Sequence, residues 1–163
     1  MSRACASRIG SRRRNRDWAG DHNGDPRLSA TNDAKRKKGC VPFFPNNLEK
    51  SKAFYDAVLG TLGVPAGNVD RHRVFWRTPA GVLSVSLPID GKPATICNGG
   101  TVGFACQSPE QANAWHAAGV ANGGSTCEDP PGVREGAAGK MYLAYLRDPD
   151  GNKICGLHRL PKA

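Results

Sequence analysis

Asn47-Leu48-Glu49-Lys50-Ser51-Lys52-Ala53-Phe54-Tyr55-Asp56-Ala57-Val58-Leu59 decides the fold. Asn47 has the short polar side chain of a helix N-cap. Leu48, Phe54, Tyr55, Val58, Leu59 and Leu62 then fall on one broad helical face, and Gly63 and Pro65 stop the helix. The stretch predicts a helix over Leu48–Leu62, entered from a short apolar run, Val41–Phe44, through Pro45-Asn46. Downstream, Arg73–Arg77 reads as a strand and Thr78-Pro79-Ala80-Gly81 as a turn. Val82–Leu87 alternates Leu, Ser, Val, Ser, Leu, which predicts a strand with one polar face. Pro88–Gly100 is a linker rich in Gly, Pro and Asn.

The second half runs in the same order. Thr101–Cys106 predicts a strand. Ser108-Pro109-Glu110-Gln111 predicts a helix start, with a Ser cap, Pro in the first turn and Gln closing a capping box. Gly123-Gly124 ends that helix, and Ser125–Gly139 reads as irregular. Met141–Arg147 and Asn152–His158 predict strands joined by the turn Asp148-Pro149-Asp150-Gly151. At an offset of 61, Glu49, Ala53, Ala57 and Gly63 match Glu110, Ala114, Ala118 and Gly124. At the same offset Val41 and Phe43 match Val102 and Phe104. At an offset of 70, Arg77-x-Pro-x-Gly matches Arg147-x-Pro-x-Gly. The halves therefore read as a duplication, and each is too small to bury much core alone.

Charge separates a tail from a domain. Residues 1–39 carry 11 basic and 4 acidic side chains, +7 of the chain's net +9, and the other 124 residues carry only +2. Besides Met1, the tail has only Ile9, Leu28 and Trp18 as large apolar residues, so a disordered basic tail over 1–38 is expected. Its Arg12-Arg13-Arg14 has no apolar stretch behind it, which argues against a secretory signal, and four Asp argue against a transit peptide. Nucleic-acid binding through the tail is disfavoured, because no aromatic or amphipathic pattern accompanies the charge. No segment has the ~20 apolar residues of a membrane span. Six widely spaced Cys with no CxxC point to reduced thiols and a cytoplasmic protein.

The helix stretch and a second one, Tyr145-Leu146-Arg147-Asp148-Pro149-Asp150-Gly151-Asn152-Lys153-Ile154, together resemble the vicinal oxygen chelate superfamily of glyoxalases, bleomycin-resistance proteins and extradiol dioxygenases. The resemblance covers Gly39–Arg159. It implies an α+β domain over residues 39–160, built of two βαβββ modules that form a cupped, eight-stranded mixed sheet with the site inside. Metal-using members draw ligands, typically His and Glu, from the first and last strand of each module.

At those four places this chain has Cys40, Val85, Thr101 and Cys155, and a register slip of one would bring in Ser84 or Ser86 for Val85. No His, Asp or Glu occurs in Cys40–Asn47, in Thr101–Ser108, or in Val82–Ile89. His158 has the opposite strand parity from Cys155. A divalent metal is accordingly disfavoured and no cofactor is expected. The residues expected to bind a ligand are Trp76, Ser84, Ser86, Thr101, Tyr142, Tyr145 and Cys155, with Arg77 and Arg147 as further candidates. Trp76 and Tyr145 are equally readable as core. No catalytic residue is assigned.

The expected function is binding of a small organic molecule in the cup without the family's standard metal. The alternative is a metal-dependent lyase, isomerase or dioxygenase with a shifted site at Cys40, Cys155 or His158. The expected partner is a small-molecule ligand. A homodimer is left open by the long linker.

Overall fold

The computed structural model describes residues 39–136 and 139–161, which belong to one compact unit, Lys38–Ala163. The tail expected over 1–38 lies outside the described residues.

The first module is β1 (Gly39–Phe43), α1 (Leu48–Gly60), β2 (Asn68–Asp70), β3 (Arg73–Arg77) and β4 (Gly81–Ser86). The second is β5 (Val102–Ala105), α2 (Pro109–Ala121), β6 (Ser125–Thr126), β7 (Gly132–Gly136), β8 (Gly139–Arg147) and β9 (Lys153–Arg159). This is the βαβββ plan twice over, in an α+β fold. The stretch expected to be irregular, 125–139, instead holds β6 and β7 and the first residue of β8, and β7 extends the second sheet by pairing with β8. The strands form two ladders, β1-β4-β3-β2 and β5-β9-β8-β6. In each, the first strand lies parallel to the last of its module and the other neighbours run antiparallel, so both sheets are mixed.

The caps act as expected, with one difference. Asn47 Oδ1 accepts from the Lys50 N–H at 2.9 Å. Ser108 Oγ accepts from the Gln111 N–H at 3.2 Å. The Gln111 carboxamide oxygen, however, accepts from the Gln107 N–H, one residue upstream of the cap, at 2.6 Å. Its Nε2 donates to the Thr61 carbonyl at the end of α1 at 3.0 Å. One side chain thus satisfies an end of each helix.

A single core joins the modules. Phe54, Tyr55, Val58 and Leu59 of α1 pack with Val74, Trp76, Leu83 and Val85 of the first sheet, and with Trp115, Ala144, Leu146 and Ile154 of the second module. The helices approach closely at Gly119, where an added Cβ would lie 2.3 Å from Leu146 and 3.2 Å from Val58. Polar groups join the modules at the other end. Tyr55 donates to Asp148 at 2.8 Å, Ser51 donates to Asp150 at 2.8 Å, and Asp150 also accepts from the Asn46 N–H at 2.8 Å. The Asp148–Asn152 turn is therefore both a β-turn and a dock for the start of α1.

Asp56 supports the first module alone. It accepts from the Gly67 N–H at 2.7 Å and from Trp76 Nε1 at 2.8 Å, and it pairs with Lys52. Burial pushes its carboxyl up, but the hydrogen bonds from Gly67, Lys52 and Trp76 outweigh that and hold it below the usual carboxylate range. A carboxyl with a lowered folded pKa stabilises the fold above its unfolded pKa, about 4, and that contribution is lost as pH falls through the folded value. The stability gap between wild type and Asp56→Asn is expected to narrow between pH 6 and pH 3 in urea titrations. A gap of constant size would contradict this assignment.

Candidate functional site

Each sheet gives one face to the helices and leaves the other open. Alternation and pairing decide which residues lie where, because directly opposed residues on neighbouring strands share a face. In β3, Val74 and Trp76 are buried against α1, so Arg73, Phe75 and Arg77 take the open face. Their β4 partners are Ser86, Ser84 and Val82. In β1, Cys40 and Pro42 are the partners of Val82 and Ser84, and Cys40 Sγ lies 3.6 Å from Ser84 Oγ. Ser84 and Ser86 are nevertheless only 5% and 9% exposed, sheltered among larger neighbours.

The second sheet follows the same rule. Ala144, Leu146 and Ile154 are fully buried on the helix side. Tyr145 and its cross-strand partner Cys155 are therefore on the open face, with Leu143 opposite Leu157 beside them. Lys153 Nζ sits 4.6 Å above the Tyr145 ring and pairs with Glu128.

The seven ligand-binding candidates from the sequence divide accordingly. Ser84 and Ser86 come together on the first open face, and Tyr145 and Cys155 on the second. Trp76 is 1% exposed and faces α1, where Asp56 accepts its N–H. Tyr142 also turns to the helix side, and its hydroxyl donates to Asn113 of α2 at 2.9 Å. Thr101 is exposed and stands one residue before β5. Val85, 1% exposed and paired with Val74, faces the helices, so Ser84 and Ser86 hold the open-face places on β4. Arg147 donates to the Gly151 carbonyl at 2.7 Å and braces the turn. His158 turns away from Cys155, with Nδ1 3.0 Å from the Cys106 carbonyl oxygen. Sequence reasoning passed over Arg73 and Phe75, although their parity with Arg77 is visible in Arg73–Arg77.

Burial holds three of the thiols in their neutral form. Burial pushes Cys155 up, against the Ala144 N–H and the Tyr145 hydroxyl, which favour the thiolate. Burial likewise raises Cys106 and Cys127. These three groups remain protonated thiols at neutral pH and make poor nucleophiles. Among the described residues no group of three or more His, Cys, Asp or Glu is placed to hold a metal ion.

Three of the cavities lined by described residues lie at the margins of these faces. One of about 230 Å³ is apolar and sits where β1 and β4 approach β5, lined by Val41, Val82, Leu83, Val102 and Phe104. A second, about 320 Å³, is bounded by Cys106, Gln107, Leu157, His158 and Arg159. The third, about 380 Å³, lies among Pro45, Asn46, Leu87, Pro88, Lys92 and Pro93. None of the three joins Ser84 and Ser86 to Tyr145 and Cys155.

Paired βαβββ modules with open sheet faces define a class of proteins, and comparison with solved structures names it. A glyoxalase/bleomycin resistance protein from Albidiferax ferrireducens T118 is 63% identical to this chain, with a TM-score of 0.73. That match covers 74% of this chain and 98% of the other. The chain belongs to the glyoxalase/bleomycin resistance/dioxygenase family. A family enzyme from Burkholderia phytofirmans PsJN, at 17% identity, shares the fold with a TM-score of 0.58 over 74% of this chain and 97% of its own. A lactoylglutathione lyase from Agrobacterium tumefaciens does so at 18% identity and 0.53, over 76% of this chain and 93% of its own. No protein-family model matches the sequence, and no curated protein does. No helix among the described residues is long and apolar enough to cross a membrane.

Proposed function

We propose that this protein binds a small organic molecule against the open faces of its sheets and does so without the family's standard metal. One observation carries the reading: the open faces present hydroxyl, thiol, aromatic and guanidinium groups, and no imidazole or carboxylate stands at the four places the resemblance assigns to metal ligands. Divalent metals of lyases and dioxygenases favour imidazole nitrogen and carboxylate oxygen. Hydroxyls beside aromatic and aliphatic side chains suit recognition of an organic ligand instead. We read the chemistry as retention of a ligand rather than turnover, because burial raises the Cys106, Cys127 and Cys155 thiols above their ordinary value.

The two half-sites, Ser84 with Ser86 and Tyr145 with Cys155, lie on separate sheets. We propose that a second copy of the chain brings the first face of one protomer over the second face of the other, twice by two-fold symmetry. The five cysteines of the described region carry no disulfide, which suits a reducing cytoplasm.

The test is metal content. Full-length protein purified without chelators, loaded with Fe, Mn, Ni, Co or Zn and desalted, is expected to retain far less than one metal per chain by mass spectrometry. Retention near one per chain that falls on Cys40→Ser or Cys155→Ser would overturn the metal-free reading in favour of a shifted metal site.

A further inference from the structure

We infer that the ligand is a small organic anion, a carboxylate or phosphonate, received on the first open face by Arg77 and Arg73 with the Ser84 and Ser86 hydroxyls. This rests on the proposed binding function and specifies its ligand class. The register is the first support. Arg73 is directly opposite Ser86, Phe75 opposite Ser84, and Arg77 opposite Val82, so both guanidinium groups rise from the face that holds the hydroxyls.

The charge of that face is the second. β1, β3 and β4 contain no acidic residue. The acid closest in register is Asp70 of β2, the partner of Arg73 at the sheet edge, and no ion pair within 4 Å joins the two. Among the described residues neither Arg73 nor Arg77 has an ion-pair partner or donates a side-chain hydrogen bond, whereas Arg134 and Arg147 both do.

The hydroxyls are the third. Ser84 is 5% exposed, and among the described residues its oxygen meets only the Cys40 thiol, a weak partner, at 3.6 Å, whereas the Ser86 hydroxyl donates to the Leu87 carbonyl at 3.2 Å and has to turn from it to reach an anion. A sheltered hydroxyl can donate to an anion with little competition from water, and a guanidinium offers a planar fork that matches a carboxylate or phosphonate. Phe75 between the two arginines supplies an apolar wall for the organic part of the ligand.

The experiment uses full-length protein labelled with ¹⁵N, titrated with acetate, benzoate and methylphosphonate, and in parallel with acetamide and benzamide. Ionic strength is held constant with chloride. The expected result is saturable shifts of the Phe75, Ser84 and Ser86 amides with the anions and not with the amides. Arg77→Gln combined with Arg73→Gln should weaken anion binding at least tenfold while leaving the amide spectrum of the core in place. Arg134→Gln, on the second module, should leave the affinity within twofold. Binding of the neutral amides on the open faces without anion preference would overturn the anionic class and leave the binding function standing. No perturbation of either open face by any probe would overturn both. Shifts from a short single-stranded oligonucleotide but not from the small anions would also overturn the inference, assigning the arginines to nucleic acid.

Discussion

Replacing Asp148 by alanine is expected to cost about 3–5 kcal/mol of stability, because four donors lose one buried acceptor. Asp148 is 5% exposed. Its Oδ2 accepts from the Tyr55 hydroxyl at 2.8 Å and from Asn152 Nδ2 at 3.0 Å. Its Oδ1 accepts from the Asn152 N–H at 2.8 Å and the Asp150 N–H at 3.0 Å. Alanine leaves the Tyr55 hydroxyl buried with no acceptor and loosens the turn that docks on α1. Burial holds the Tyr55 hydroxyl neutral, with Asp148 adding to it, so its pKa is raised well above 10. A raised folded pKa gives stability that is present below the unfolded value, about 10, and is lost as pH rises beyond it. Wild type should therefore lose stability steeply in alkaline urea titrations, and Tyr55→Phe should lose less. A cost below 1 kcal/mol for Asp148→Ala would remove the turn from the account of how the modules are joined.

Trp115→Ala is expected to cost about 3–5 kcal/mol, and Trp115→Phe far less. Trp115 is fully buried, lies against Phe104 at 6.1 Å between ring centroids, and fills the space over Gly156, where an added Cβ would come within 2.8 Å of the indole. Truncation to alanine leaves a cavity that these neighbours cannot close. Phenylalanine keeps the ring contact and also removes the indole N–H, a buried donor with no hydrogen-bond partner among the described residues. Denaturant midpoints of the two variants test both halves. Equal losses would mean that the N–H has an acceptor after all, or that the ring contact counts for little.

The elements that were legible in the sequence are those with a local cause. Asn47 and Ser108 mark their helices because a short side chain can reach the third N–H on, and both do so. The repeat was legible in the shared order of elements rather than in matched core residues: Phe54 and Trp115, 61 residues apart, are both fully buried, but Val41, Ala53 and Ala114 are exposed. The strands β6 and β7 were not. A two-residue strand has no periodicity, and Gly132–Gly136 carries a single apolar side chain, so its place is set by pairing with β8. The site was legible only in part. Ser84 and Ser86 share a face because they are two residues apart. Tyr142 and Tyr145 are three apart and must lie on opposite faces, which the pairing with His158 and with Cys155 makes plain. Trp76 was ambiguous from composition alone. Its parity with Val74 and the acceptor at Asp56 turn it toward α1.

Metal-free ligand binding on the open faces is decided by chemical-shift mapping of full-length protein against a mixed library of neutral and charged organic fragments, with no metal added. Fragments that bind are expected to shift the amides of Ser84, Ser86, Tyr145 and Cys155, on the open faces of both sheets. Fragments that bind only when a divalent metal is supplied, or that shift only residues away from these faces, would contradict metal-free binding there.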